Sequence, residues 1–287
     1  MPETKPTVVV LTALALEYAA VRAHITDREE RILPGRIPVE IGRLADSPWR
    51  VALAELGEGA LNAASLTTQI LTGLDAEAVL FVGIAGSLKK DIGIGDVVLG
   101  TKVYGIHGGK WANGRFLSRP EAWHASLPLV QAARSAVRDM EDVRPHFKPI
   151  AAGDVVLADA RAEIAAHLHE HYNDAAAIEM EGSGAAHAAH VNGQLDALVV
   201  RGISDRADAR KSRGDAAGHQ ERAAEQAAEV AMAVLRKHRP RDRASSSPSA
   251  SASGTEEGPQ PPVYGGDHIH FEGGTFHGPV IGKITGR

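Results

Sequence analysis

Apolar, β-branched runs alternate with helix-spaced segments from the first residues to about residue 239, and this alternation limits the fold more than any other feature of the chain. TVVVLTAL (7–14) reads as a buried strand. ALEYAAVRAHI (15–25) then has helical spacing, with Leu16, Ala19, Ala20 and Ala23 on one side. RIPVEIGRL and WRVALAEL look like a hairpin pair, and GALNAASLTTQILTG (59–73) is a helix stopped at Gly73. AVLFVGIAG (78–86) and DVVLGTKVYGI (96–106) are strands, followed by a glycine-rich aromatic loop and a helix near 122–138. IAAGDVVLAD (150–159) starts as a strand, RAEIAAHLHEHY is a helix, and AAAIEM is a short strand leading into the helix GSGAAHAAHV. ALVVRGIS (197–204) is the next strand, and an amphipathic helix over 218–239 closes the series. Such alternation predicts an α/β fold with a mostly parallel, helix-covered sheet.

The composition then changes. PRDRASSSPSASASGTEEGPQPP (240–262) is a Ser/Pro/Gly linker without the apolar residues to build a core. The last 25 residues, 263–287, are rich in glycine but carry alternating apolar positions. The expected organisation is a domain over 1–239, a disordered linker over 240–262 and a short β-prone motif over 263–287.

Bulk properties exclude several classes. A net charge of −5 gives no general attraction to nucleic acid or anionic membrane. The absence of cysteine removes disulfides, thiolate catalysis and thiolate zinc sites together. The N-terminal apolar run reads as a first strand rather than a signal peptide, and no run approaches a membrane span, so a cytoplasmic location is expected. No cofactor and no metal are expected. His268 and His270 alternate with Ile269 and Phe271 in DHIHF, and the spacing of His268, His270 and His277 has no strong zinc pattern.

In open α/β sheets ligands sit beyond the carboxyl ends of the strands. Four such ends carry polar groups: Glu17 after the first strand, the FVGIAGS turn, IEMEG, and VVRGISD with Arg201, Ser204 and Asp205. Singly, Asp205 could be a helix cap, Glu17 the solvated side of its helix, and Gly83 and Gly86 simple turn residues. Within AAAIEMEGSGAAHAAH (175–190), Glu179 and Glu181 bracket Met180, two carboxylates in an apolar run that are costly to bury unless bound.

The pieces ALALE, VGIAGSL…IGDVV, GDVV, IEMEG and VVRGISDRAD occur in order over residues 7–239. Together they resemble the methylthioadenosine/S-adenosylhomocysteine nucleosidase branch of the nucleoside phosphorylase superfamily. The resemblance implies a three-layer α/β/α fold with a central twisted mixed sheet. It also implies an N-glycosidase acting on a purine nucleoside or nucleotide, and commonly a homo-oligomer. By position, Glu17 corresponds to the carboxylate that activates the attacking water and Arg201 to a residue near the nucleophile. Met180 and Glu181 correspond to the ribose contacts, with Glu181 accepting the 2′- and 3′-hydroxyls, and Glu179 remains a structural or loop-anchoring acid. Asp205 corresponds to the acid that protonates the purine at N7, Ser204 to its neighbour, and Ile84, Ala85 and Gly86 to the sugar-side loop. Two positions depart from the pattern. Ile84 stands where the family often has serine, and Val156 or Leu157 where an aromatic stacks on the base.

The chemistry agrees with these roles, because breaking an N-glycosidic bond builds positive charge on ribose and negative charge on the base. TALALEY carries a carboxylate and lacks the arginine of a phosphate loop, so hydrolysis is favoured over phosphorolysis. Arg206, Arg210, Lys211 and Arg213 read either as a solvated basic loop or as phosphate contacts for a nucleotide. ISD-x-AD-xx-K also resembles nucleosidase effector domains of immune-type proteins. Residues 263–287 are similar to amyloid-signalling motifs of effectors that partner bacterial NLR-type receptors, which predicts templated assembly. The other readings are a phosphorylase, a housekeeping methionine-salvage nucleosidase, and a non-catalytic scaffold on this fold.

Overall fold

The structure is a computed structural model that describes residues 6–154, 163–193, 195–206 and 216–241. Val156, Leu157, Arg210, Lys211, Arg213 and the segments 242–262 and 263–287 therefore lie outside the described residues. The first strand, β1 (Thr7–Thr12), is buried along its whole length and pairs in parallel with β4 (Arg50–Glu55) on one side and β5 (Ala76–Ser87) on the other. Beyond β4 lie β3 (Ile37–Leu44) and β2 (Ile25–Leu33), both antiparallel. Beyond β5 come β12 (Asp196–Arg206), β6 (Val97–Gly105), β10 (Pro145–Ala152) and β11 (Ala177–Glu179). β11 also pairs antiparallel with β5, so the sheet curls and closes on itself at this end. A short strand, β9 (Glu121–His124), adds to β6, and β7 (Gly109–Ala112) with β8 (Arg115–Ser118) forms a separate hairpin.

The sheet is mixed rather than mostly parallel. The antiparallel steps are β2–β3, β3–β4, β6–β9, β5–β11 and β12–β6. Helices cover both faces. α1 (Ala15–Arg22), α3 (Leu127–Ala136) and α6 (Ala216–Lys237) pack over one core, which includes Val8, Val10, Leu80, Val82 and Val200. α2 (Ala60–Gly73) and α5 (Gly182–Val191) pack over the other, which includes Val9, Leu11, Phe81, Val199 and Ile203. α4 (Glu163–His171) follows β10 and packs Leu168 into a third, smaller cluster with Tyr172 and Ile178. Residues alternate between the two large cores along β1, β5 and β12, as a strand covered on both faces requires.

Two sequence expectations change, and one strand was not anticipated. α1 buries Glu17 and Val21, not the Leu16–Ala19–Ala20–Ala23 side, because Glu17 is drawn inward by partners described below. The segment ITDREERIL is strand β2, buried only at Ile25 and Leu33; an edge strand with charged faces carries no apolar signal. The start of the helix expected near 122–138 is strand β9, and the helix begins at Leu127, where Pro128 fits its first turn.

Small residues set the spacing between α2 and α5. A Cβ on Gly184 would lie 2.0 Å from the Ala60 carbonyl oxygen, so only glycine lets the two helices approach this closely. That contact brings the first residues of both helices against the carboxyl ends of β5, β11 and β12.

Candidate active site

Arg201 is the centre of the arrangement. It lies in the buried middle of β12, is 0% exposed, and its guanidinium sits 4.2 Å above the centre of the Phe81 ring of neighbouring β5. Three carboxylates converge on it. Nη2 donates to Glu179 Oε2 in a short charge-assisted contact, Glu181 Oε2 is 3.9 Å from Nη2, and Glu17 Oε1 is 3.8 Å from Nη1. All three acids are buried.

Each acid is also fixed by backbone donors. Glu17 Oε2 accepts the N–H groups of Ala13 and Leu14 at 2.8 and 2.9 Å, capping its own helix, and Oε1 accepts the Ile84 N–H at 2.7 Å. Glu179, at the end of β11, accepts the N–H of Glu181 at 3.2 Å and of Gly182 at 2.8 Å. It thereby anchors the first turn of α5, where a carboxylate also meets the positive end of the helix. Glu181 Oε1 accepts the Gly59 N–H at 3.1 Å, at the start of α2, where Asp154 takes the next N–H, of Ala60, at 2.9 Å. The E-M-E spacing thus sends both acids toward one buried cation, with the half-buried Met180 between them.

Gly83 leaves the space for this contact. A Cβ there would lie 2.0 Å from Arg201 Nη1 and 2.4 Å from Glu17 Oε1. Burial pushes the Glu17 carboxyl above its ordinary value, against the pull of Arg201 and the three backbone donors. Glu181 is raised for the same first reason, with Arg201 opposing and Glu179 adding to the rise. Burial alone would lower the Arg201 pKa, but the three carboxylates outweigh it and the net shift is upward.

At the end of β12, the Ser204 hydroxyl donates to Asp205 Oδ2 at 3.0 Å and lies 3.4 Å from the Ala85 carbonyl. Asp205 is half-buried beside Gly86, its register partner on β5, and Arg206 is exposed just after it. The structure therefore gathers Glu17, Ile84, Ala85, Gly86, Glu179, Met180, Glu181, Arg201, Ser204, Asp205 and Arg206 around the carboxyl ends of β5, β11 and β12. Sequence reasoning missed Phe81, Gly59 and Asp154. The LGEG turn before α2 was a usable signal for Gly59, whereas the stacking of Phe81 on Arg201 exists only once the strands pair.

The chain matches the sequence profile described as "Phosphorylase superfamily" over residues 7–236. The chain belongs to that superfamily. Among curated relatives, the 5'-methylthioadenosine/S-adenosylhomocysteine nucleosidase of Exiguobacterium sp. is 29% identical over 203 residues, spanning 69% of this chain and 84% of the relative. The enzyme of the same name from Chromohalobacter salexigens is 28% identical over 204 residues, spanning 69% and 83%. Among solved structures, the Neisseria meningitidis nucleosidase in complex with methylthio-immucillin-A superposes with a TM-score of 0.71 at 27% identity, covering 81% of this chain and 99% of that one. Futalosine hydrolase of Helicobacter pylori shares the fold, with a TM-score of 0.69 at 22% identity. The expected N-glycosidase class and the three-layer fold with a mixed sheet agree with these relatives. Among the described residues no helix is long and apolar enough to cross a membrane, and no group of three metal-ligating side chains is placed to hold an ion.

Proposed function

We propose that this protein is a nucleosidase that hydrolyses the N-glycosidic bond of an adenine nucleoside or a 5′-substituted derivative, releasing adenine. The observation that carries the reading is the convergence of Glu17, Glu179 and Glu181 on the buried guanidinium of Arg201. Three acids against one guanidinium give the floor an excess of negative charge, which repels phosphate and favours water and a cationic ribosyl transition state.

In this mechanism Glu181 accepts the ribose 2′- and 3′-hydroxyls and Met180 packs against the sugar. Asp205, with Ser204 on its Oδ2, delivers a proton to purine N7 as the C1′–N9 electron pair leaves with the base. A water held at Glu17 attacks C1′ from the opposite face and gives its proton to that carboxylate. The products are free adenine and the ribose derivative, with one water consumed. Arg201 keeps the acids aligned, and the Ile84 N–H fixes the orientation of Glu17 through its Oε1. The exposed Arg206, next after Asp205, is the candidate contact for a phosphate or other polar 5′-group.

The proposal extends to residues 263–287, where sequence alone supports templated assembly that gathers the enzyme domains in an immune-type response. Fibril formation by that peptide, read with thioflavin, tests this part. The catalytic part is tested by incubating the protein with methylthioadenosine, S-adenosylhomocysteine, adenosine, AMP and ATP, with and without phosphate. Adenine released in phosphate-free buffer is expected. Adenine from none of the five, or only when phosphate is present, would overturn the reading.

A further inference from the structure

A second chamber lies on the same face of the sheet as the acid cluster, one layer toward the amino ends of the strands. Along β5 and β12 the layers run Val79 with Ala197, Phe81 with Val199, then Gly83 with Arg201. The first two layers border a cavity of about 350 Å³, lined also by α5, β6 and β9 and open to solvent beside the exposed His124 and His190. Ala185 and Ala189 of α5, Val103 of β6 and the Trp123 ring of β9 supply apolar walls. The Phe81 ring separates this cavity from the charge cluster, since it borders the cavity and carries the Arg201 guanidinium. α5 spans both, with its first turn at Glu179 and Glu181 and its later turns along the cavity.

Three side chains bring polar atoms to the lining. Ser126 Oγ accepts the Ala197 N–H at 2.7 Å, which leaves its own hydroxyl hydrogen to donate, and the imidazoles of His124 and His190 border the same opening. Apolar walls, two aromatic rings and a few polar groups are the make-up of a small-molecule site rather than a packing defect.

We infer that this cavity is a second binding site, for a flat, neutral aromatic heterocycle of one or two rings with at least one polar edge. The Phe81 and Trp123 rings provide surfaces for stacking, and Ser126, His124 and His190 meet the polar edge. A flexible acyl chain would not stack on the Phe81 and Trp123 rings. The site is distinct from the proposed catalytic centre, and binding to it does not depend on that proposal.

Calorimetric titration of the full-length protein with indole and with benzimidazole tests the inference, with octanoate as the acyl-chain probe. The expected result is 1:1 binding of both heterocycles, a raised Tm in their presence, and benzimidazole binding more tightly. Filling the cavity with Ala189→Leu should weaken both at least tenfold; Ala186→Leu serves the same purpose if that variant does not fold. The inference is overturned if neither heterocycle binds up to its solubility limit, if a folded cavity-filling variant binds as well as wild type, or if octanoate binds as tightly as the heterocycles.

Discussion

The two ends of the central strands handle buried polar groups in opposite ways. At the amino end, where α6 finishes, the Trp49 indole N–H donates to the His238 carbonyl at 3.1 Å and the two rings stack at 5.4 Å. Asp196 there faces two basic groups, His238 at 3.5 Å and Arg241 at 3.7 Å. At the carboxyl end the proportion is reversed, with one guanidinium among three carboxylates, and Arg201 Nε and Nη1 are buried without a hydrogen-bond partner. A lock that only holds the fold can satisfy its groups locally. A cluster with surplus charge and unused donors costs stability, and such a cost points to a site organised for a ligand.

The comparison breaks most readily at Arg201. Replacing it with leucine leaves three buried acids unpaired, and should cost about 3–5 kcal/mol of stability and abolish adenine release. Urea denaturation beside an adenine assay measures both. Next, Gly83→Ala forces a methyl into the Arg201–Glu17 contact. Activity should fall at least tenfold, with a lower Tm, whereas an unchanged rate would show that the contact is not needed.

The pH response follows from the raised Glu17 and Glu181. A carboxyl whose folded pKa is raised binds its proton more tightly folded than unfolded. Its stabilising contribution is therefore present below the unfolded value of about 4.3 and lost as pH rises through the folded value. The Tm difference between Glu17→Gln and wild type should shift in favour of the variant as pH rises from about 4.3, and a difference that stays flat would contradict the raised Glu17. The smallest effect is expected at the opposite end. Trp49→Phe removes one buried hydrogen bond and should cost about 0.5–1.5 kcal/mol while leaving kcat unchanged.

Much of the layer order was legible because β1, β5 and β12 are apolar, β-branched runs that cannot be solvated, and the helices between them are regular. Charge hid β2, whose exposed faces carry Asp27, Arg28, Glu29, Glu30 and Arg31. A glycine-rich aromatic segment hid β7, β8 and β9, three short strands of four residues each with little apolar alternation. In the site, Glu17, Glu181 and Asp205 stood out as charges at strand ends. Glu179 reads as a loop-anchoring acid, and it does anchor α5, but its pairing with Arg201 did not stand out. The central place of Arg201 was equally hidden: an arginine after VV looks like a strand end until β5 and β11 are seen to surround it.

The central claim is that the acid cluster at the carboxyl ends performs hydrolysis. Its most direct test is the rate of adenine release in phosphate-free buffer by wild type, Glu17→Gln and Asp205→Asn, with folding checked by circular dichroism. The account predicts release by wild type and a loss of about 10²–10⁴-fold in each variant with the fold retained. Either variant releasing adenine at the wild-type rate would contradict it.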